Sequence, residues 1–209
     1  TDSPETFGHV EAGRMMIMLN RDDYWQCAFV IRKGSAAALQ QGPVDAFRRR
    51  VLELSPFLAD RIGEIKDWSD VKLLTVAVDR LRRWYRPGFL AIGDAAHAMS
   101  PIGGVGINLA IQDAVAAANL LAGPLRRGSV SVADLAAVQA RREFPMKVIQ
   151  AGQIAIQKQV IDKLLSADTP LRAPWPLRLL ASMPAFRGLA ARIVGVGVRP
   201  EHVAVTPGG

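Results

Sequence analysis

Residues 88–121, GFLAIGDAAHAMSPIGGVGINLAIQDAVAAANLL, run through an apolar strand, an acidic residue, a glycine-rich loop and a helix. Asp94 falls just past the carboxyl end of the strand, where α/β proteins build their ligand crevices. A carboxylate there can accept hydrogen bonds from sugar or polyol hydroxyls. Gly103, Gly104 and Gly106 then strip side chains from the approach to the helix. Free backbone N–H groups and the positive end of the helix dipole would face whatever lies in front of them. That suits an electron-rich ligand edge or a developing negative charge. The same grammar can be purely architectural, with Asp94 a local cap. His97 reads as a neutral structural histidine. Asn108, Gln112 and Asn119 form a polar stripe on this helix and read as a narrow solvent-facing edge.

The elements that must position this stretch follow from periodicity. Residues 14–19 (RMMIML) and 24–31 (YWQCAFVI) are short β-leaning runs joined by Asn20 to Asp23, a hairpin pattern. From Pro43 onward Val44, Phe47, Val51, Leu54 and Leu58 recur at helical spacing, and Pro56 marks a break. Residues 71–78 (VKLLTVAV) read as a strand, Arg86-Pro87-Gly88 as a turn, and residues 89–92 as a short buried strand. The helix from about Ile107 to Leu121 is apolar nearly all round and reads as buried, with Gly123-Pro124 as its stop. A further helix is expected from Val132 to about Leu165, kinked at Pro145. The proline-rich stretch 169–176 reads as a connection, with two short helices after it, about 176–182 and 184–194. The pattern is α/β with mixed α+β character. It divides into 1–80, a sheet with an amphipathic helix; 81–122, the strand, loop and helix above; and 123–209, a helical region.

Composition narrows the function classes. Half of the 209 residues are apolar, so a core can form and disorder is excluded. The net charge is +7, from 26 Lys and Arg against 19 Asp and Glu. The arginines stand beside apolar helical faces and turns, with no helix-turn-helix, zinc finger or aromatic RNA-binding strand, so nucleic-acid binding is not expected. Cys27 is the only cysteine, which excludes an internal disulfide and, with three scattered histidines, a Cys/His zinc site. Cys27 itself reads as a small buried apolar residue. No apolar run is long enough to span a membrane. A cytoplasmic location is the expectation.

The string Gly93-Asp94-Ala95-Ala96-His97, then Pro101, then Gly104-x-Gly106-x-Asn108, resembles the second flavin-binding motif of the FAD-dependent aromatic hydroxylases. These are single-component flavoprotein monooxygenases related to para-hydroxybenzoate hydroxylase. The similarity extends to RDDYWQCAFVIRKG, like the substrate-domain sheet, to residues 71–94, like the strand leading back to the flavin, and to RPEHV near the C-terminus. The resemblance implies that Gly93 and Asp94 hold the ribityl chain of FAD. It implies too that Pro101 and the loop Gly103, Gly104, Val105, Gly106, Ile107 and Asn108 lie against the isoalloxazine ring. It implies a monooxygenase that takes electrons from NAD(P)H, adds O2 to the reduced flavin, and hydroxylates a small aromatic substrate through a flavin hydroperoxide. No metal is implied, and no residue here identifies itself as a catalytic base. Tyr24, Gln26 and Thr75 are candidates to line the substrate pocket, against the plainer reading of sheet packing. A flavin reductase or halogenase of the same superfamily, or a non-catalytic binding or regulatory remnant of the fold, are the alternatives.

Two motifs of that family do not occur in the 209 residues. There is no Gly-x-Gly-x-x-Gly fingerprint for the FAD pyrophosphate and no Asp-Gly dipeptide. The expectation is a C-terminal portion of a longer monooxygenase, lacking an N-terminal Rossmann unit of roughly 150 residues or more. FAD binding by the chain alone would then be weak or absent, and the uncovered apolar surface would favour self-association.

Overall fold

The computed structural model describes residues 7–11, 13–167, 188, 192 and 195–204, and the chain forms two compact units. The expected connection at 169–176 and the two short helices after it fall, but for residues 188 and 192, outside the described residues.

The first unit comprises residues 1–75 and 157–172. The expected hairpin is present as β2 (Arg14–Asn20) and β3 (Trp25–Val30), antiparallel, with Asn20 opposite Trp25. A strand the sequence pattern did not announce, β1 (Phe7–Glu11), pairs with the free edge of β2. β2 is therefore central, and Met16 and Met18 on one of its faces are fully buried. Two helices follow, α1 (Ala36–Gln40) and α2 (Val44–Leu54). Pro43 is the residue before the first turn of α2, extended at ψ 147°. Phe47, Val51 and Leu54 of α2, with Leu58 beyond it, close over the two methionines. Edge-on ring contacts join Phe29 to Phe47 and Trp25 to Phe57, and the Trp68 indole donates to the Gly42 carbonyl at 2.9 Å. Cys27 lies opposite Met18 on the edge strand β3 but is exposed, so the buried position expected of it is not the one it has.

The second unit comprises residues 76–156 and 173–209. Its strands are two residues long: β4 (Asp79–Arg80) pairs with β7 (His97–Ala98), and β5 (Tyr85–Arg86) with β6 (Phe89–Leu90). The Arg86-Pro87-Gly88 turn is where the sequence puts it, with Gly88 at φ +73°. Residues 72–78 form no strand, contrary to the expectation from their apolar, β-leaning sequence. A strand is stabilised by ladder partners, and none among the described residues pairs with this segment; Leu74 is 75% exposed. The buried strand expected at 89–92 shrinks to β6, with Phe89 exposed and Ala91 buried.

Two long helices follow, α3 (Gly106–Arg126) and α4 (Val132–Ile156). α3 is not buried all round. Leu109, Asp113, Ala116 and Leu121 make one buried face, while Ile107 is 69% exposed and Ile111 and Leu120 are exposed too. Gly123-Pro124 does not stop it, since a proline near the last turn removes only one donor and the helix runs on to Arg126. Its true end is Gly128 at φ +68°, whose N–H bonds the Leu125 carbonyl at 2.9 Å. α4 begins at the expected residue and carries Pro145 within it. Its regular pattern gives way at a π-turn over residues 157–161, followed by α5 (Asp162–Leu165) in the first unit.

Candidate functional site

The chain leaves β6 extended at Ile92 and tightens into one 3₁₀ turn, Gly93–Ala95. Gly93 sits at φ +57°, and a Cβ there would lie 2.9 Å from the Ala110 Cβ on α3. Only glycine allows both that dihedral and that approach. Its N–H donates to Asp113 Oδ2 at 3.1 Å, so the turn is pinned to α3 at two successive turns of the helix. Asp94, next along, is exposed.

His97 is buried, with its ring tilted against Trp84 at 5.1 Å. Its Nε2 lies 2.6 Å from Asp113 Oδ2 while Nδ1 has no partner. The structural role expected of His97 is the one it has. Gln153 then holds Ser100 at both backbone groups, accepting from its N–H at 3.2 Å and donating to its carbonyl at 2.8 Å. From Pro101 the chain turns through Ile102–Gly104, with Gly103 at φ +77° and Gly104 at φ +63°. Pro101, Gly103 and Gly104 are exposed, and a Cβ built on Gly104 would meet nothing within 4 Å.

α3 begins directly after this loop. Its N-cap is Val105, which is buried and has no side-chain oxygen to cap with. The first intrahelical bond runs from the Leu109 N–H to the Val105 carbonyl at 3.2 Å. The amides of Gly106, Ile107 and Asn108 precede it and have no acceptor within the helix. An exposed carboxylate, a glycine-rich loop and an uncapped N-terminus of a 21-residue helix thus belong to one continuous stretch of the second unit. The open space beside Gly104 and the uncapped amides are of the kind a flat, electron-rich ring edge fills, and Asp94 is an acceptor for hydroxyls. The donor set suits the ring and ribityl parts of a flavin.

Tyr24, Gln26 and Thr75 all belong to the first unit. Tyr24 is 63% exposed in the hairpin loop, the Gln26 amide oxygen accepts from the Arg21 guanidinium at 3.0 and 3.1 Å, and Thr75 is exposed. The 430 Å³ cavity of that unit is lined by others, among them Arg14, Phe29, Arg32, Arg50 and Glu53.

The polar stripe on α3 is partly in solvent, with Asn119 exposed, and it also binds backbone. Asn108 donates to the Gly195 carbonyl at 3.3 Å, Gln112 to Val196 at 2.8 Å and Asn119 to His202 at 2.8 Å. The Ala204 N–H returns a bond to Asn119 at 2.9 Å. Residues 195–204 thus form a strap laid along α3. Asparagine and glutamine amides bind an irregular backbone because each offers a donor and an acceptor.

Sequence reasoning missed Asp113 and Arg142, both fully buried and joined at 3.0 Å from Nε to Oδ1. Burial would raise the Asp113 pKa, yet hydrogen bonds from His97, Arg142 and the Gly93 N–H outweigh it and hold the carboxyl below its ordinary value. The available signal was an acid amid the otherwise apolar face of α3, with an arginine on the next helix. Among the described residues no group of His, Cys, Asp and Glu could hold a metal, and no helix is long and apolar enough to cross a membrane.

The chain is similar to several known proteins. The family model described as FAD binding domain matches residues 4–152. The 6-methylpretetramide 4-monooxygenase of Streptomyces rimosus is 37% identical over 164 residues, covering 77% of this chain and 38% of that protein. The aklavinone 12-hydroxylase DnrF of Streptomyces peucetius is 31% identical over 162 residues, 78% of this chain and 30% of that one. Among solved structures, PqsL from Pseudomonas aeruginosa, a probable FAD-dependent monooxygenase, superimposes with a TM-score of 0.61 at 24% identity. That match covers 78% of this chain and 46% of PqsL. CabE, an aromatic hydroxylase from angucycline biosynthesis, gives 0.57 at 20% identity over 94% of this chain and 39% of that one. The chain spans well under half the length of the curated relatives it matches. Matched by that model over residues 4–152, the chain belongs to the FAD-binding domain family.

Proposed function

We propose that this chain supplies the ring-side and ribityl-side seat for FAD in a monooxygenase that hydroxylates an aromatic or polycyclic compound. The observation that carries it is the exposed Asp94 followed by a glycine-rich loop and an α3 N-terminus with no side-chain cap. When bound, FAD would supply the two-electron chemistry that couples NAD(P)H oxidation to the activation of O2. Overall, one oxygen atom enters the aromatic substrate, the other leaves as water, and NAD(P)H and a proton are consumed.

The residues here have binding and positioning tasks. Asp94 accepts hydrogen bonds from the ribityl hydroxyls. The amides of Gly106, Ile107 and Asn108, at the positive end of α3, stand beside the pyrimidine edge, where negative charge gathers on reduction. Gly103 and Gly104 let the backbone approach the ring, and Pro101 gives a rigid apolar surface at its margin. Residues 81–122 belong to the FAD-binding domain in this reading, and the sheet of residues 1–80, with Tyr24, Gln26 and Thr75, to the substrate side. The names of the Streptomyces relatives and of CabE support an aromatic or polycyclic substrate, as does a solved complex of PqsL with 2-aminobenzoylacetate.

The 209 residues hold no Gly-x-Gly-x-x-Gly loop to seat the pyrophosphate, so the chain by itself is expected to bind FAD weakly and not to turn over. Titration of FAD, read by quenching of its fluorescence, tests the seat. Asp94→Ala should weaken binding by about tenfold, roughly the loss of one or two hydrogen bonds involving a charged acceptor. Unchanged affinity in that variant would remove Asp94 from the site.

A further inference from the structure

The buried charges behind the Gly93 turn connect it to the C-terminal strap. Asp113 accepts from the Gly93 N–H, from His97 Nε2 and from Arg142 Nε. Arg142, itself fully buried, uses its remaining nitrogens outward. Nη1 donates to the Arg199 carbonyl at 2.9 Å and lies 3.4 Å from Glu201 Oε1, and Nη2 donates to Gln112 Oε1 at 3.1 Å. Arg141 braces Glu201 from the other side, at 2.6 Å to Oε1 and 3.2 Å to Oε2. The strap that delivers Arg199 and Glu201 is the one bound to Asn108, Gln112 and Asn119. Asn108 lies in the proposed flavin loop.

We infer that Asp113 is a positioning residue for the Gly93–Asp94 turn, and that the strap of residues 195–204 completes it by satisfying Arg142. The physical reason is a chain of obligations. A guanidinium buried this deeply needs a partner for each nitrogen, and the strap provides the carbonyl and carboxylate that α3 does not. With Arg142 satisfied and fixed, Asp113 stays ionised and oriented, and one of its oxygens remains committed to the Gly93 amide. Without the strap, Arg142 must seek water or draw Asp113 toward it, and the amide that sets the direction of Asp94 loses its acceptor. The strap therefore acts on the proposed flavin site at both ends, through Arg142 to Gly93 and through Asn108 to the head of α3.

The inference rests on the flavin reading for its consequence but not for its structural step, and the test separates the two. Hydrogen exchange at the Gly93 amide is followed in the chain without flavin, for the wild type and for Asp113→Asn, Arg142→Lys and Glu201→Gln. FAD affinity is measured on the same proteins by fluorescence quenching. Glu201→Gln, on the strap, keeps the protein testable if the two buried substitutions fail to fold. The expected result is Gly93 exchange several-fold faster in Glu201→Gln and Arg142→Lys, with exchange along α4 unchanged and FAD affinity lower by about tenfold. A strap that merely stabilised the fold would raise exchange throughout the second unit instead, and that result overturns the proposal. Folded variants with wild-type Gly93 exchange overturn it too. A wild type that binds no FAD refutes the flavin reading, while the exchange data still decide whether Asp113 and the strap position the turn.

Discussion

The two units solve the same folding problem by opposite means. In the first, regular ladders satisfy the backbone of β1 to β3, and the side chains left over are apolar: Met16, Met18, Phe47, Val51, Leu54 and Leu58 form its buried cluster. In the second, the strands are two residues long and ladders satisfy little of residues 79–105. Buried polar side chains on α4 do that work instead. Gln139 accepts from the Trp84 N–H at 2.9 Å and donates to the Arg82 carbonyl at 3.0 Å. Gln150 donates to the Asp79 and Ala98 carbonyls, and Gln153 holds both groups of Ser100. With Arg142 and Met146 these residues share one helical face, and half of the residues that α4 buries are polar. A glutamine amide reproduces the donor and acceptor of a neighbouring strand, so a helix can serve as the partner an irregular segment lacks. The candidate site occurs in the unit built this way. An exposed carboxylate and free amides need backbone that is not already committed to a ladder.

The sharpest way to break this contrast is Asp113→Ala. It leaves Arg142 buried without its carboxylate and should destabilise the second unit by about 3–5 kcal/mol, read from urea unfolding. The pH dependence has a definite sign. Because the folded state holds the Asp113 carboxyl below its unfolded value, its contribution is present above that value, about 3.9, and is lost as the pH falls through the lower folded one. The stability gap between wild type and Asp113→Asn should therefore narrow below about pH 4, and a gap constant down to pH 2 would contradict the buried ionised pair.

In the first unit, Met18→Ala should cost about 2–5 kcal/mol, with no dependence on pH in that window. A smaller effect, about 1–3 kcal/mol, is expected for Gln153→Leu, which keeps the volume but removes the glutamine's bonds to the Ser100 N–H and carbonyl. If thermal melting finds Gln153→Leu neutral or stabilising, the glutamines are not substituting for a ladder and the contrast fails. Least of all should follow from Glu53→Gln. The Glu53 side chain is 56% exposed and that of its partner Arg14 38%, so the change should stay under about 1 kcal/mol and shrink further in salt.

By itself the sequence determined whatever depends on near neighbours in the chain. The β2–β3 hairpin, the apolar face of α2, the Pro87-Gly88 turn and the start of α4 are local patterns, and each appears where periodicity and turn chemistry put it. The strand–acid–glycine loop–helix grammar around Asp94 was legible for the same reason, since a cap, a free amide and a positive φ are properties of a few consecutive residues.

Tertiary structure decided what depends on partners far along the chain. Residues 71–78 read as a strand from their β-leaning composition, yet a strand exists only where a second edge pairs with it. α3 reads as wholly apolar, but which face it buries was set by α4 and by the strap. Asn108, Gln112 and Asn119 look like an edge for water because the backbone they bind lies 83 to 87 residues away. Asp113 and Arg142 are 29 apart, and an acid on an apolar helix face signals that a partner is needed without saying which residue supplies it. A buried charge is tolerated only with its counter-charge beside it, and only the fold supplies that neighbour.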